Sequence, residues 1–304
     1  MKPLFIGRRD FVRMGLLVAS LGLSGCSVAS NRPRLITFKG VLPKELLQSL
    51  PPSWRVDFQD DSLGENQYEF KQRTKQGDLL VLGDGWLHSL KFDNFRSIKG
   101  DQLVSQLNRQ AILFMSSFES DVAMKLLPIG YSPWVMIFRR GESFLPKAKE
   151  SWDVLLDPAL KGKIILPNSS RLVMSLADRM GSKDMLDRLR SQARAFDDQN
   201  GLSWLLAGKA KVAVLPLQYC MNSLARDQRL SVAIPKDGAP LNWTIMMRPK
   251  MSNEPLPKLW VQQLWDSPLL TNLLASGWIP PVSTNKITNA IKTLPGKHQE
   301  VLSM

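Results

Sequence analysis

Histidine and cysteine are scarce in this chain of 304 residues: there are only His88, His298, Cys26 and Cys220. A structural zinc site draws on about four such ligands, so no metal is expected. No internal apolar run reaches the roughly 18 residues that a membrane span needs. The nucleophile and phosphate signatures G-x-S-x-G, H-E-x-x-H and G-x-x-x-x-G-K-[ST] are all missing. The adjacent acids Asp60–Asp61 and Asp197–Asp198 read as solvated turns rather than a catalytic pair. Net charge is +13, yet there is no dense Lys/Arg run and no nucleic-acid motif. The chain therefore reads as a binder, not an enzyme, with no cofactor and no nucleic-acid partner.

What is present is an ordinary globular balance, 44% hydrophobic and 22% charged, over a length that supports one or two real cores. Short apolar runs alternate with helical patterns, which predicts an α/β fold with mainly parallel sheets. Expected strands cover residues 35–38, 54–58, 79–82, 163–166, 212–215 and 231–234. Residues 123–128 and 134–138 form an extended pair, and 242–247 another extended segment. Helices are expected over 43–50, 68–76, 98–115, 152–156, 172–180, 183–195, 202–206, 256–265 and 268–277. Asn168, Ser169 and Ser170 are residue types that cap helix N-termini. They follow the strand at 163–166, a position where open α/β sheets hold ligands.

Residues 151–181 also carry a resemblance. Their pattern, SWxxLLDPxLKGKIxLPxSxRxVxxLAxxxG, with Ile-Gly-Tyr-Ser-Pro-Trp at 129–134 and Gly-Trp-Ile-Pro-Pro at 277–281, is similar to periplasmic solute-binding proteins of the spermidine/putrescine ABC-importer type. The resemblance spans roughly residues 34–291. It implies a two-lobed, type II periplasmic-binding-protein-like fold, with two crossover strands and a central cleft that closes by a hinge. On that basis residues 34–128 plus 241–304 form lobe one, and 129–240 lobe two.

Residues 1–26 read as a processing segment. Arg8 and Arg9, followed by Asp10, Phe11 and Val12, resemble the twin-arginine export signal, and residues 14–23 form a ten-residue apolar core. Leu23-Ser24-Gly25-Cys26 resembles a bacterial lipobox, with cleavage after residue 25 and lipid attached to Cys26. Residues 26–33 are then a tether, and the protein is a periplasmic, membrane-anchored lipoprotein. The four basic residues of the first 25, set against Asp10, leave +10 on the remainder.

A polyamine site needs carboxylates for its ammonium groups and aromatic faces for its methylenes. In the family the acids stand at the turn before the second-lobe helix, where this chain has Asn168, Ser169, Ser170, Arg171 and Leu172. Trp243 is followed by Thr244 where the family has an acid. Candidate ligand contacts are Asp84 and Trp86 in Gly83–Trp86, where a tight turn with a packed indole is the alternative. Trp134 and Trp243 stand at the crossovers, Ser169, Ser170 and Arg171 at the helix start, Gln218 and Tyr219 after the strand at 212–215, and Thr244 beside Trp243. Trp278 is a weaker candidate, and each tryptophan has core packing as its alternative. Trp260 reads as core.

The resemblance implies an importer protein that binds a small solute and delivers it, as a monomer, to a permease with its ATPase. The alternative is a divergent lipoprotein that binds an anionic or zwitterionic solute, or acts as a sensor or assembly partner without transport.

Overall fold

The computed structural model describes residues 32–59, 76–98, 102–181 and 184–303. The leader, its Arg8, Arg9 and Cys26, the expected helix at 68–76 except its last residue, and Asp60–Asp61 lie outside them. Residues from Pro33 onward form one compact unit.

Ten strands make one continuous sheet among the described residues. The first part is β1 (Arg34–Phe38), β2 (Arg55–Gln59) and β3 (Leu79–Gly83), paired in parallel in the order β2-β1-β3. The short β4 is Phe95–Arg96, and β5 is Leu127–Arg139. The second part holds β6 (Ile164–Leu166), β7 (Ala193–Phe196) and β8 (Val212–Pro216), again parallel, with β6 central. Last come β9 (Leu230–Ala233) and β10 (Leu241–Pro249).

The joints between the two parallel sets are antiparallel. Strand β5 pairs with β10 over residues 127–133 and then, from Trp134 onward, with β8 and β9. One 13-residue strand thus runs from the first part of the sheet into the second. Strand β10 brings the chain back: Trp134 N–H donates to Pro240 O at 2.9 Å, and β10 then lies between β3 and β5. This is the two-lobed α/β fold with two crossover strands.

Each lobe buries both faces of its sheet, which is why its strands read as continuous apolar runs rather than alternating ones. In β3, Leu79 and Val81 enter one core while Leu80 and Leu82 enter another. In β8, Val212 and Val214 face one core of the second lobe and Ala213 and Leu215 the other. Successive strand residues point to opposite faces, so four cores result, two per lobe.

Two expectations are corrected. In place of an extended pair at 123–128 and 134–138 there is one strand from Leu127 to Arg139, with Gly130 to Pro133 buried inside it, and residue 123 ends a short helix, Ser120–Ala123. Gly130 is needed there because the Trp278 ring lies against its backbone. Pro133 is tolerated because β5 changes partner at that point. Second, the helix expected over 183–195 stops at Gln192, and residues 193–196 form the edge strand β7. Gln192 Nε2 donates to Leu156 O at 3.0 Å and holds that end down. The last helix, Gly296–Leu302, sends Val301 into the core that contains Leu217 and Leu224.

Candidate functional site in the cleft

Four strands end at one cleft, two from each lobe. From the first lobe, β1 ends at Phe38 before the Lys39–Gly40 turn, with Gly40 at φ +82°. Strand β3 ends at Gly83 and opens a 3-10 turn over Asp84–Ser89. From the second, β6 leads to helix α1 (Ser170–Arg179), and β8 to helix α2 (Leu217–Arg226). Carboxyl ends of strands are where open α/β sheets place ligands.

Direct side-chain contacts span the cleft. Arg171, the second residue of α1, places Nη2 3.0 Å from Asp84 Oδ2. Gln218, the second residue of α2, donates from Nε2 to Gly40 O at 3.0 Å. Gln218 is itself anchored, since its backbone N–H donates to Ser132 Oγ at 2.9 Å and Ser132 donates to Gly277 O at 2.9 Å.

The two partners of the ion pair differ in burial. The Asp84 side chain is 6% exposed and that of Arg171 59%. Burial pushes the Asp84 carboxyl above the usual carboxylate range. The Arg171 charge and its hydrogen bond, and the Gly85 and Trp243 backbone amides, act in the opposite sense but less strongly. Asp84 Oδ1 is buried and has no hydrogen-bond partner, and the same holds for Gln218 Oε1. Each orphaned buried oxygen costs free energy until a donor meets it.

The pair divides the cleft into two cavities. The smaller, about 170 Å³, collects eight of the ten candidate residues: Asp84, Trp86, Trp134, Ser169, Arg171, Gln218, Tyr219 and Thr244. Trp86 lies stacked on Phe38, with ring centroids 4.4 Å apart and planes 12° apart. Tyr219 is exposed, whereas Trp134 and Thr244 are buried in the wall. The larger cavity, about 490 Å³, lies on the other side of Asp84 and Arg171. Its aromatic wall is Phe92, Phe114, Phe118 and Trp243, and Arg179 and Ser175 of α1 face it from the second lobe. Trp243 is the ninth candidate. It stacks on Phe114 at 4.8 Å and leans on Tyr131 at 4.9 Å.

Ser170 is not in the cleft. It lines a separate pocket with Met174 and Phe196, because consecutive helix residues point about 100° apart and Arg171 takes the cleft direction. No side chain caps α1 either: Ser169 is at the capping position without a side-chain bond to the helix. Trp278 is fully buried, and its Nε1 donates to Thr244 Oγ1 at 3.1 Å, so it belongs to the core. Trp260 is core as well, donating to Leu46 O and to Ser49 Oγ, both at 3.1 Å.

The sequence reading missed Asp198. Its neighbour Asp197 does form the expected turn, accepting bonds from Asn200 N at 2.9 Å and Trp204 Nε1 at 3.0 Å. Burial pushes the Asp197 carboxyl up, but these donors together hold it below its ordinary range. Asp198 instead lines the small cavity beside Asn168, whose N–H it accepts at 3.4 Å. The signal was its place just past β7, a strand that the sequence reading had absorbed into a helix. Phe38 and Asn242 of the small cavity, and the phenylalanines and Arg179 of the large one, were also missed as site residues. Among the described residues no three His, Cys, Asp or Glu side chains gather as a metal site.

Residues 93–293 match the profile of the bacterial extracellular solute-binding protein family. The chain belongs to that family. A comparison with curated proteins gives no match. Among solved structures, the ferric binding protein from Campylobacter jejuni is similar with a TM-score of 0.64 at 12% identity, over 85% of this chain and 90% of that one. The spermidine/putrescine ABC transporter substrate-binding protein PotD from Streptococcus pneumoniae gives 0.62 at 15%, over 88% and 87%. The apo ferric ion-binding protein A of Pasteurella haemolytica gives 0.62 at 11%, over 85% and 89%. These likenesses establish the fold of this solute-binding protein. Among its described residues no helix is long and apolar enough to cross a membrane.

Proposed function

We propose that this solute-binding protein captures a small amine-bearing solute, of the spermidine or putrescine kind, between its lobes and delivers it to an ABC permease driven by its ATPase. It does so as a monomeric periplasmic lipoprotein, exported through Arg8 and Arg9 and anchored at Cys26. It catalyses no reaction.

One observation carries the choice of solute: Asp84, a buried carboxylate at the end of β3, has an oxygen without a donor. An ammonium group supplies the missing donor and a charge of the right sign. Asp198 provides a second carboxylate in the same cavity, and the stacked Trp86 and the exposed Tyr219 offer faces for methylene groups. The anionic alternative looks to Arg171, whose charge is already partly met by Asp84 at 3.0 Å, which makes that guanidinium a weaker anchor for an anion.

Thermal unfolding of the purified protein against spermidine, putrescine, amino acids, phosphate, sulfate, carboxylates and ferric iron tests the reading. A solute at 100 times its Kd adds about 2.7 kcal/mol of stability. The expected result is a rise in Tm with polyamines, absent in Asp84→Asn. A rise with phosphate or sulfate alone contradicts it, and a rise confined to amino acids replaces the polyamine by a zwitterion.

A further inference from the structure

We propose that Arg171 is a built-in competitor for the solute's cationic group, so that only a solute with more than one point of attachment opens the Asp84 site. This rests on the amine reading above and specifies which amines the cleft accepts.

The ion pair is asymmetric. Asp84 is fixed in the wall at the end of β3, whereas the side chain of Arg171 remains mostly in water, at 6% and 59% exposure. Separating them therefore costs the arginine little hydration, because its exposed guanidinium moves into solvent. The carboxylate cannot follow and must find another cation. Arg171 is the exchangeable partner. The contact is also single-pronged: Nη2 meets Oδ2 while Oδ1 has no partner. A two-pronged arginine–carboxylate pair would be stronger and harder to displace.

Replacing Arg171 by one ammonium exchanges cation for cation and adds only the bond to Oδ1. It also breaks a contact that joins the two lobes. A monoamine thus gains little. A diamine has a second ammonium for Asp198 and a methylene stem for Trp86 and Tyr219, all on the small-cavity side of the pair. The arginine then acts as a threshold that rejects single-ended cations, and a specificity-determining residue rather than a donor to the solute. When displaced it faces the larger cavity, which it already lines together with Arg179.

The test is calorimetric titration of the full-length protein in nonionic detergent with 1,4-diaminobutane and with n-butylamine. Three variants are compared with the parent: Arg171→Met, Arg171→Gln and Arg171→Lys. The expected result is diamine affinity about tenfold higher in the Met and Gln proteins, measurable butylamine binding only in those two, and near-parent behaviour in the Lys protein. Using both neutral variants keeps the test decisive if one of them fails to fold. Equal or weaker diamine binding in the neutral variants overturns the competitor role while leaving the amine reading intact. If parent and variants all bind no amine, the amine reading itself fails and the competitor role with it.

Discussion

Gly130 of β5 lies directly against the indole of Trp278: a Cβ at position 130 would fall 2.0 Å from Trp278 Cζ2. The ring cannot retreat, because Trp278 is fully buried and its Nε1 is tied to Thr244 Oγ1 on β10. The same section of β5 exchanges backbone bonds with Ile279, at 2.9 Å and 2.8 Å. The two crossover strands and the turn after Gly277 are therefore one packed unit under the cleft. Gly130→Ala is expected to cost roughly 3 kcal/mol through overpacking, read as a lower urea midpoint with an unchanged m-value.

Trp260 anchors the first lobe by polar as well as apolar contacts, since its single N–H serves both Leu46 O and Ser49 Oγ. Trp260→Phe keeps much of the ring but removes the donor. Leu46 O keeps the bond from Ser49 Oγ at 2.9 Å, so the expected loss is that of the indole hydrogen bond and of the vacated ring volume, about 2 kcal/mol, measured by the same urea titration.

Cys220 is fully buried in α2, with its Sγ facing Leu217 O at 3.4 Å. Burial pushes the thiol far above its ordinary range, and only the thiolate attacks disulfide reagents. In a Cys26→Ser protein, a colorimetric thiol reagent should find no reactive group at neutral pH and one group once urea unfolds the chain. Rapid labelling of the native protein would place Cys220 at the surface.

The raised pKa of Asp84 has a definite sign for stability. The native state holds this proton at pH values where the unfolded chain, with its carboxyl near 3.9, has lost it. The contribution is therefore complete below the ordinary value and is lost as pH rises through the raised one. Arg171, Lys39 and Asp198 stand around the carboxylate on one side of the cleft, and His88 and Arg179 on the other. Relative to Asp84→Asn, the parent should lose stability as pH rises through that window and run parallel to the variant above it. Unfolding free energies from pH 4 to pH 8 provide the check.

The lobes were legible in the sequence because strands buried on both faces are written as unbroken apolar runs, such as Leu79–Gly83 and Val212–Pro216. Strand β7 was not, because an edge strand reading Ala-Arg-Ala-Phe has half of its residues in water and looks like the end of a charged helix. Losing that strand hid Asp198, whose only mark was its place at the strand's carboxyl end. Asp84 and Arg171 were each visible as cleft candidates, one after a buried strand and one at a helix start. Their pairing was not, since it joins residues 87 positions apart across the lobes and no local pattern encodes such a contact. Ser170 illustrates a smaller limit: composition marks a helix start, but only the helix phase decides which of two neighbours faces the cleft.

Occupancy of the cleft by an amine at Asp84 can be read from the small molecules released when the full-length protein, purified from its membrane, is denatured and analysed by mass spectrometry. One enriched compound with at least two amino groups is expected, present in the parent and missing from Asp84→Asn. An enriched anion without an amino group, or an amine retained equally by both proteins, would contradict it.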